Sequence, residues 1–275
     1  MEKRKKKEGK IMIPTFTVQD IFVMMQTLNT KTLIGFSNPF EHLTKYEIEK
    51  EWEKTYKKLH KLNLINLVDK EIKLEENFGN ALWIMSRTNM VVEIIKDGNL
   101  KNYFYFSKEH VVECKENEDS EFTLYVHGKP DHVWNNVIYP RMLVGVESHS
   151  ADAGETIYVP TAAYNAWVKA GSVTDVQCLE AINSDENWKR VSSQLDVALK
   201  SMVHNNRLMV FFKEDAQWVI EGMHVLTSPN NNWTFKMIKK DNIELLEGKQ
   251  SSNLDIVSEI LDVLVRMQNQ QAMIK

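Results

Sequence analysis

The chain has 275 residues, 43% of them apolar and 26% charged, with a formal net charge of −4. That composition supports one large core or two small ones and excludes an intrinsically disordered chain. It also excludes the broad basic field on which wholesale attraction to nucleic acid or an anionic membrane depends.

The basic residues at the start, MEKRKKKEGK, are followed only by Ile11, Met12 and Ile13 before Pro14. This apolar run is too short for a signal peptide, so residues 1–14 are expected to form a basic, flexible tail. No window of about 18 uninterrupted apolar residues follows, so no membrane-spanning helix is expected and the chain should stay in the cytoplasm. Residues 15–76 read as a small helical module resembling a winged helix. Thr17 or Asp20 opens a helix carrying Ile21, Met24, Met25 and Leu28, and Gly35 with Pro39 interrupts. A longer helix spans about Thr44 to Leu62, with Ile48, Trp52, Tyr56, Leu59 and Leu62 as its stripe. Leu64, Leu67 and Val68, then Asp69-Lys70-Glu71, then Ile72 and Leu74, predict the short hairpin called a wing.

A pattern of four β-type runs and a closing helix then occurs twice. The first copy, in residues 77–145, follows a linking helix from about Asn77 to Ser86. Its strands are Met90–Ile95, Leu100–Phe106, Val111–Cys114 and Phe122–Val126, with Asp97-Gly98 as the strongest hairpin signal and Pro130 opening the helix. Residues 146–205 form a small polar loop, Glu147 to Glu155, expected to be mobile, then connecting helices. These are Pro160–Ala170, a short one capped by Ser172 and Asp175, and Glu186–Val203. The second copy, residues 206–275, has strands at Leu208–Phe212, Gln217–Leu226, Trp233–Ile238 and Ile243–Leu246. Ser252 with Asp255 forms a capping box for a final helix whose stripe is Leu254, Val257, Leu261, Leu264 and Val265. The expected fold class is α+β: two pseudo-symmetric halves, each a mainly antiparallel sheet with a closing helix, preceded by the winged-helix-like module and joined by helices.

The chemistry-bearing residues form no catalytic constellation. None of the eight histidines belongs to HExxH or a close Cys/His cluster, and the nearest to a ligand group, His127 and His132 with Asp131, sits where Asp131 serves a helix first turn. No GxxxxGK[ST], GxGxxG or GxSxG is present. Cys114 and Cys178 stand far apart, as packed, reduced thiols do. No metal, cofactor or enzymatic activity is therefore expected. The long helix that would face DNA carries Glu47, Glu49, Glu51 and Glu53, which repel phosphates, so nucleic acid is not the expected partner. A winged-helix regulator with a sensing or dimerising domain stays the alternative. Trp233, Phe235 and Met237 alternate onto one strand face and Trp218 lies on the preceding strand. These aromatics serve either as core or as anchors for a partner's helix, together with the tips Lys213–Ala216 and Ser228–Asn232, the latter holding Asn230 and Asn231.

The order and spacing of these elements resemble the EspG-like cytosolic chaperones of type VII (Esx) secretion, especially their firmicute relatives of the EsaE kind. The resemblance rests on Val18, Ile21, Phe22, Met25 and Leu28 in an opening helix, then a Trp-bearing helix ending Leu59-His60-Lys61-Leu62-Asn63-Leu64, a hairpin, and two four-stranded segments with helices between and after. It covers about residues 16–268. It implies a non-catalytic chaperone that keeps a helical secreted effector or toxin soluble and delivers it to the secretion ATPase or membrane machinery. It further implies a substrate tip held by the sheet with C-terminal helices. The expected contacts are Trp218, Trp233, Phe235, Asn230 and Asn231.

Overall fold

The computed structural model describes residues 11–273 except 31, 69–70, 99, 147–154, 184–185, 216 and 241–242. The expected mobile loop therefore lies outside the described residues except for Glu155, as do the first ten residues of the tail and the Asp69-Lys70 turn. Among the described residues no helix is long and apolar enough to cross a membrane. The fold is α+β and divides into two units, Met1–Glu93 with Leu100–Val137 and Lys213–Gln217, and Ile94–Asn99 with Ile138–Phe212 and Trp218–Lys275.

In the first unit come β1 (Ile11–Phe16), α1 (Val18–Thr27), α2 (Lys45–Lys61), the hairpin β2 (Ile65–Val68) and β3 (Glu71–Leu74), and α3 (Glu76–Arg87). Strands β4 (Met90–Lys96), β5 (Lys101–Phe106), β6 (Val111–Glu116) and β7 (Phe122–His127) follow, then α4 (Pro130–Val133). Both α1 and α2 begin with capping boxes, Thr17 with Asp20 and Thr44 with Glu47, which satisfy two otherwise orphaned backbone donors at each helix start. The sheet runs β1-β7-β6-β5-β4, and β5, β6 and β7 pair antiparallel as consecutive hairpins. Strand β1 has no counterpart among the elements expected from sequence. Its apolar run is three residues long and Pro14 removes a ladder donor, a combination tolerated here because β1 is the first strand in the sheet order and its register shifts between Ile13 and Thr15.

Asp20 locks the helices of this unit together. Its carboxylate is buried and accepts from Thr55 Oγ1 at 2.8 Å, Lys58 Nζ at 2.6 Å and the Thr17 backbone at 3.0 Å. Burial alone would raise its pKa; the hydrogen bonds from Lys58, Thr17 and Thr55 outweigh it and hold the carboxyl below its ordinary value.

The second unit holds α5 (Tyr139–Met142), β8 (Thr156–Pro160), α6 (Thr161–Ala170), α7 (Gln177–Ile182), α8 (Trp188–Lys200), β9 (His204–Glu214), β10 (Gln217–Thr227), β11 (Asn232–Lys240), β12 (Ile243–Ser251) and α9 (Asn253–Met273). Its strand order is β9-β10-β11-β12-β8. Strand β8, also unforeseen, pairs antiparallel with β12 from Lys249↔Thr156 to Leu245↔Pro160. Helix α6 ends at Gly171 in the left-handed conformation, as its sequence predicts, whereas α7 starts without the side-chain cap expected from Ser172 and Asp175. The core of the unit packs Ile157, Tyr164, Trp167, Leu195, Trp233 and Phe235. Gly248 lies directly under the Phe235 ring, where a Cβ would collide with ring carbons.

Candidate functional site

Helix α9 has apolar residues on two sides. It starts at the predicted capping box: Ser252 N donates to Asp255 Oδ2 at 2.8 Å, and Asp255 N donates to Ser252 Oγ at 3.2 Å. One side, Ile256, Ile260 and Val263, is buried. Between these residues Glu259 is buried as well, reached by Lys236 of β11 and by Lys249 Nζ of β12 at 2.9 Å. Burial pushes the Glu259 carboxyl up, and the two lysine hydrogen bonds outweigh it and bring it below its ordinary value. About two turns further on, Arg266 Nη2 and Nε reach the same Glu221 oxygen at 2.9 and 3.1 Å, tying the helix to β10.

The opposite side faces water. Leu254 is 72% exposed, Leu261 45% and Val265 53%. These three belong to the apolar stripe read from the sequence, whose direction its spacing leaves open; Ile256, Ile260 and Val263 take the inward positions. At about 100° per residue the two seams sit on different faces of one helix, and the periodicity of the sequence supports either. What distinguishes them is polar: only the observed rotation brings Glu259 to its two lysines and Arg266 to Glu221.

Beside α9 the sheet opens. The pairing of β10 with β11 runs from Thr227↔Asn232 to Met223↔Lys236, whereas β11 stays paired with β12 out to Lys240↔Ile243. Past Met223 a cleft of about 280 Å³ lies between the two strands and the helix, lined by Ile220, Met223, Met237 and Val263 with Glu221 and Arg266. Ile220 and Met237 are exposed, but alternation turns their side chains to the sheet face opposite the one from which Glu221 and Lys236 reach α9. The charged groups of the cleft are already paired with one another, Glu221 with Arg266 and Lys236 with Glu259. Among the described residues no cluster of three metal-ligating side chains is present.

The residues singled out from sequence fall in three places. Trp233 and Phe235 have no exposed surface; their rings stack with centroids 6.2 Å apart, and Phe235 lies 4.4 Å from Tyr164. They are core side chains and cannot meet a partner while the core is closed. Asn231 is buried in the β10–β11 turn, where Ser228 Oγ donates toward its carbonyl oxygen at 2.8 Å, and Asn230 is exposed beside it. This turn is about seven strand residues, roughly 23 Å, from Ile220 along β10. Trp218, half-buried, shares the strand face of Ile220, opposite the face from which Glu221 reaches α9. Ile220, Leu254, Leu261 and Val265 were legible as apolar residues, but nothing in their spacing tells an outward seam from an inward one.

Comparison with known structures places this geometry in a fold. The chain has the fold of EspG5. This Mycobacterium tuberculosis type VII secretion system chaperone, solved in complex with the PE25–PPE41 dimer, superposes with a TM-score of 0.54 over 90% of this chain and 94% of its own, at 10% sequence identity. No family model matches the chain, and no curated protein matches it. EspG5 is thus alike in architecture along nearly its whole length, while the side chains have diverged almost completely.

Proposed function

We propose that the chain is a non-catalytic, cytoplasmic chaperone of type VII secretion that binds a helical secreted protein through the outer seam of α9. The observation that carries this reading is the exposed stripe Leu254, Leu261 and Val265 on a helix whose other side is fully seated. Three apolar residues at helical spacing form half of a helix–helix seam, and water is a poor partner for the other half. EspG5 has the same fold and was solved with a bound PE–PPE dimer, which supports a helical substrate here.

On this reading the bound tip is kept from aggregating by exchanging its exposed apolar ridge for that of α9, and it is then handed to the secretion ATPase or membrane machinery. The two β-rich segments with their closing helices form a structural repeat, the winged-helix-like module serves packing, and the EsaE-type branch is the nearer relative. A DNA-binding role has less support, because lysines of α2 are engaged by glutamates of the same helix, Lys54 with Glu51 at 3.4 Å and Lys57 with Glu53 at 2.6 Å.

The test is to tag the N-terminus, purify the protein from native cells at moderate salt and identify what accompanies it. Recovery in near-equal amount of a secreted helical protein, lost when Leu254, Leu261 and Val265 are all changed to Gln, supports the proposal. Recovery of nucleic acid, or of a partner indifferent to the triple change, overturns it.

A further inference from the structure

The first unit contains a second apolar concavity, independent of α9. It occupies about 520 Å³ among α1, α2, α3 and the β2–β3 hairpin, within the range of about 300–1,000 Å³ that takes a small organic ligand. Met24, Leu28, Phe78 and Leu82 line its inner part.

The walls are held in place. Asp20 joins α1 to α2 through Thr55 and Lys58. The root of the hairpin is fixed by Glu75 N donating to Leu64 O at 2.8 Å and Leu64 N donating to Leu59 O at 3.0 Å. Leu74 abuts α3 at Gly79, where an added Cβ would come within 3.1 Å of it. Such a cleft exists before any ligand arrives.

Its polar chemistry is sparse and of one sign. The hydroxyls of Thr27 and Thr55, both in the lining, donate to Met24 O and to Asp20 and so present no hydrogen-bond donor to a ligand. The single charged residue of the lining is Glu71, which is exposed, and the lining also holds the aromatic rings of Trp52 and Tyr56. Aromatic faces combined with a carboxylate attract an ammonium group and repel an anion. The remaining apolar lining takes a hydrocarbon body. We propose that this cleft binds a small cationic amphiphile, a hydrocarbon chain ending in an ammonium group, with Glu71, Trp52 and Tyr56 at the head group and the chain along Leu28 and Phe78.

The probe is decyltrimethylammonium, titrated below its micelle concentration by calorimetry, with decyl sulfate and decyl maltoside as matched anionic and neutral chains. The expected result is one saturable site per chain, with the ammonium compound binding at least about tenfold more tightly than the sulfate, the difference that about 1.4 kcal/mol of head-group attraction makes. Glu71→Gln, a change on an exposed strand, brings the two to within about threefold, and Trp52→Leu weakens the ammonium compound severalfold. The far-UV circular dichroism melt of each variant confirms that it is folded. Equal binding of the three chains, binding at many sites, or no saturable binding overturns the proposal. So does a lysine-bearing amphipathic peptide that displaces the probe with higher affinity, since the cleft would then be a docking groove for a protein.

Discussion

The α9 seam gives the sharpest quantitative expectation. Fully burying a Leu or Val side chain contributes about 1.5–3 kcal/mol. Scaled by the exposures of Leu254, Leu261 and Val265, complete coverage by a partner helix contributes about 2.5–5 kcal/mol. Coverage is seldom complete and ordering costs offset part of it, so about 2 kcal/mol is a conservative floor, a loss of at least about thirtyfold in affinity for the triple Gln variant. Gln is a good helix former, and all three positions face water, so the free protein should melt as the wild type does, within about 0.5 kcal/mol. The assay is calorimetric titration of wild type and variant with the co-purified helical protein, beside thermal unfolding of each. Affinity within threefold of wild type in a variant that unfolds normally would refute the assignment of this seam as the contact. A variant that instead unfolds early would show that the seam stabilises the chain itself.

Other expectations test the framework around the site. His224 is buried against Tyr164, ring centroids 5.0 Å apart, and burial with the nearby Arg207 charge lowers its pKa to about 4. The unfolded chain, with an ordinary histidine, binds the extra proton between about pH 6.5 and 4, so stability present at pH 7 is lost as pH falls through that window, by about 2 kcal/mol at pH 5. Urea unfolding at pH 7 and pH 5 should show this loss in the wild type and much less of it in His224→Phe. Phe235→Ala should cost about 3–5 kcal/mol of stability, measured by denaturant midpoint, as expected for a core ring and not for a contact residue. Asp20→Ala, which strands Lys58 and two hydroxyl or amide donors, should cost about 2–3 kcal/mol in the same measurement.

Much of the fold was legible because local signals agreed with one another. The Asp97-Gly98 turn is flanked by β4 and β5, Asp97 with φ of 53° and Gly98 with φ of 70°, and the eight strands expected in residues 77–145 and 206–275 all overlap observed strands, β9 and β12 running several residues beyond their expected bounds. The unforeseen strands β1 and β8 are short, each contains a proline, and their pairing partners are distant in sequence, so no local pattern announces them. The site was harder to read for a different reason. Large aromatics are the usual anchors of interfaces, but the same area makes them the usual choice for a core, and the complete burial of Trp233 and Phe235 decides between the two uses. In α9 the sequence carries two seams, and the polar partners of the observed seat, Lys236, Lys249 and Glu221, lie on other strands.

Those two seams lead to a last prediction. A helix with two apolar sides could rotate to bury Leu254, Leu261 and Val265, which would stabilise the free chain and remove its binding surface. In that rotation Glu259 and Arg266 would leave their partners, and Lys236 and Lys249 would face each other without the carboxylate now between them. Both lysines are more than a third exposed, so the cluster contributes little absolute stability, about 1 kcal/mol after screening by solvent. Its weight lies in discriminating between two seats of similar apolar area, where a small difference is enough. The double variant Glu259→Gln, Arg266→Gln should therefore unfold at nearly the wild-type temperature while losing amide-exchange protection along α9 and most of its affinity for the helical partner. Unchanged protection together with unchanged affinity would show that packing of Ile256, Ile260 and Val263 alone sets the rotation. Loss of affinity with unchanged melting is the outcome that ties the ion cluster to function, because it separates how the helix is seated from how stably the chain folds.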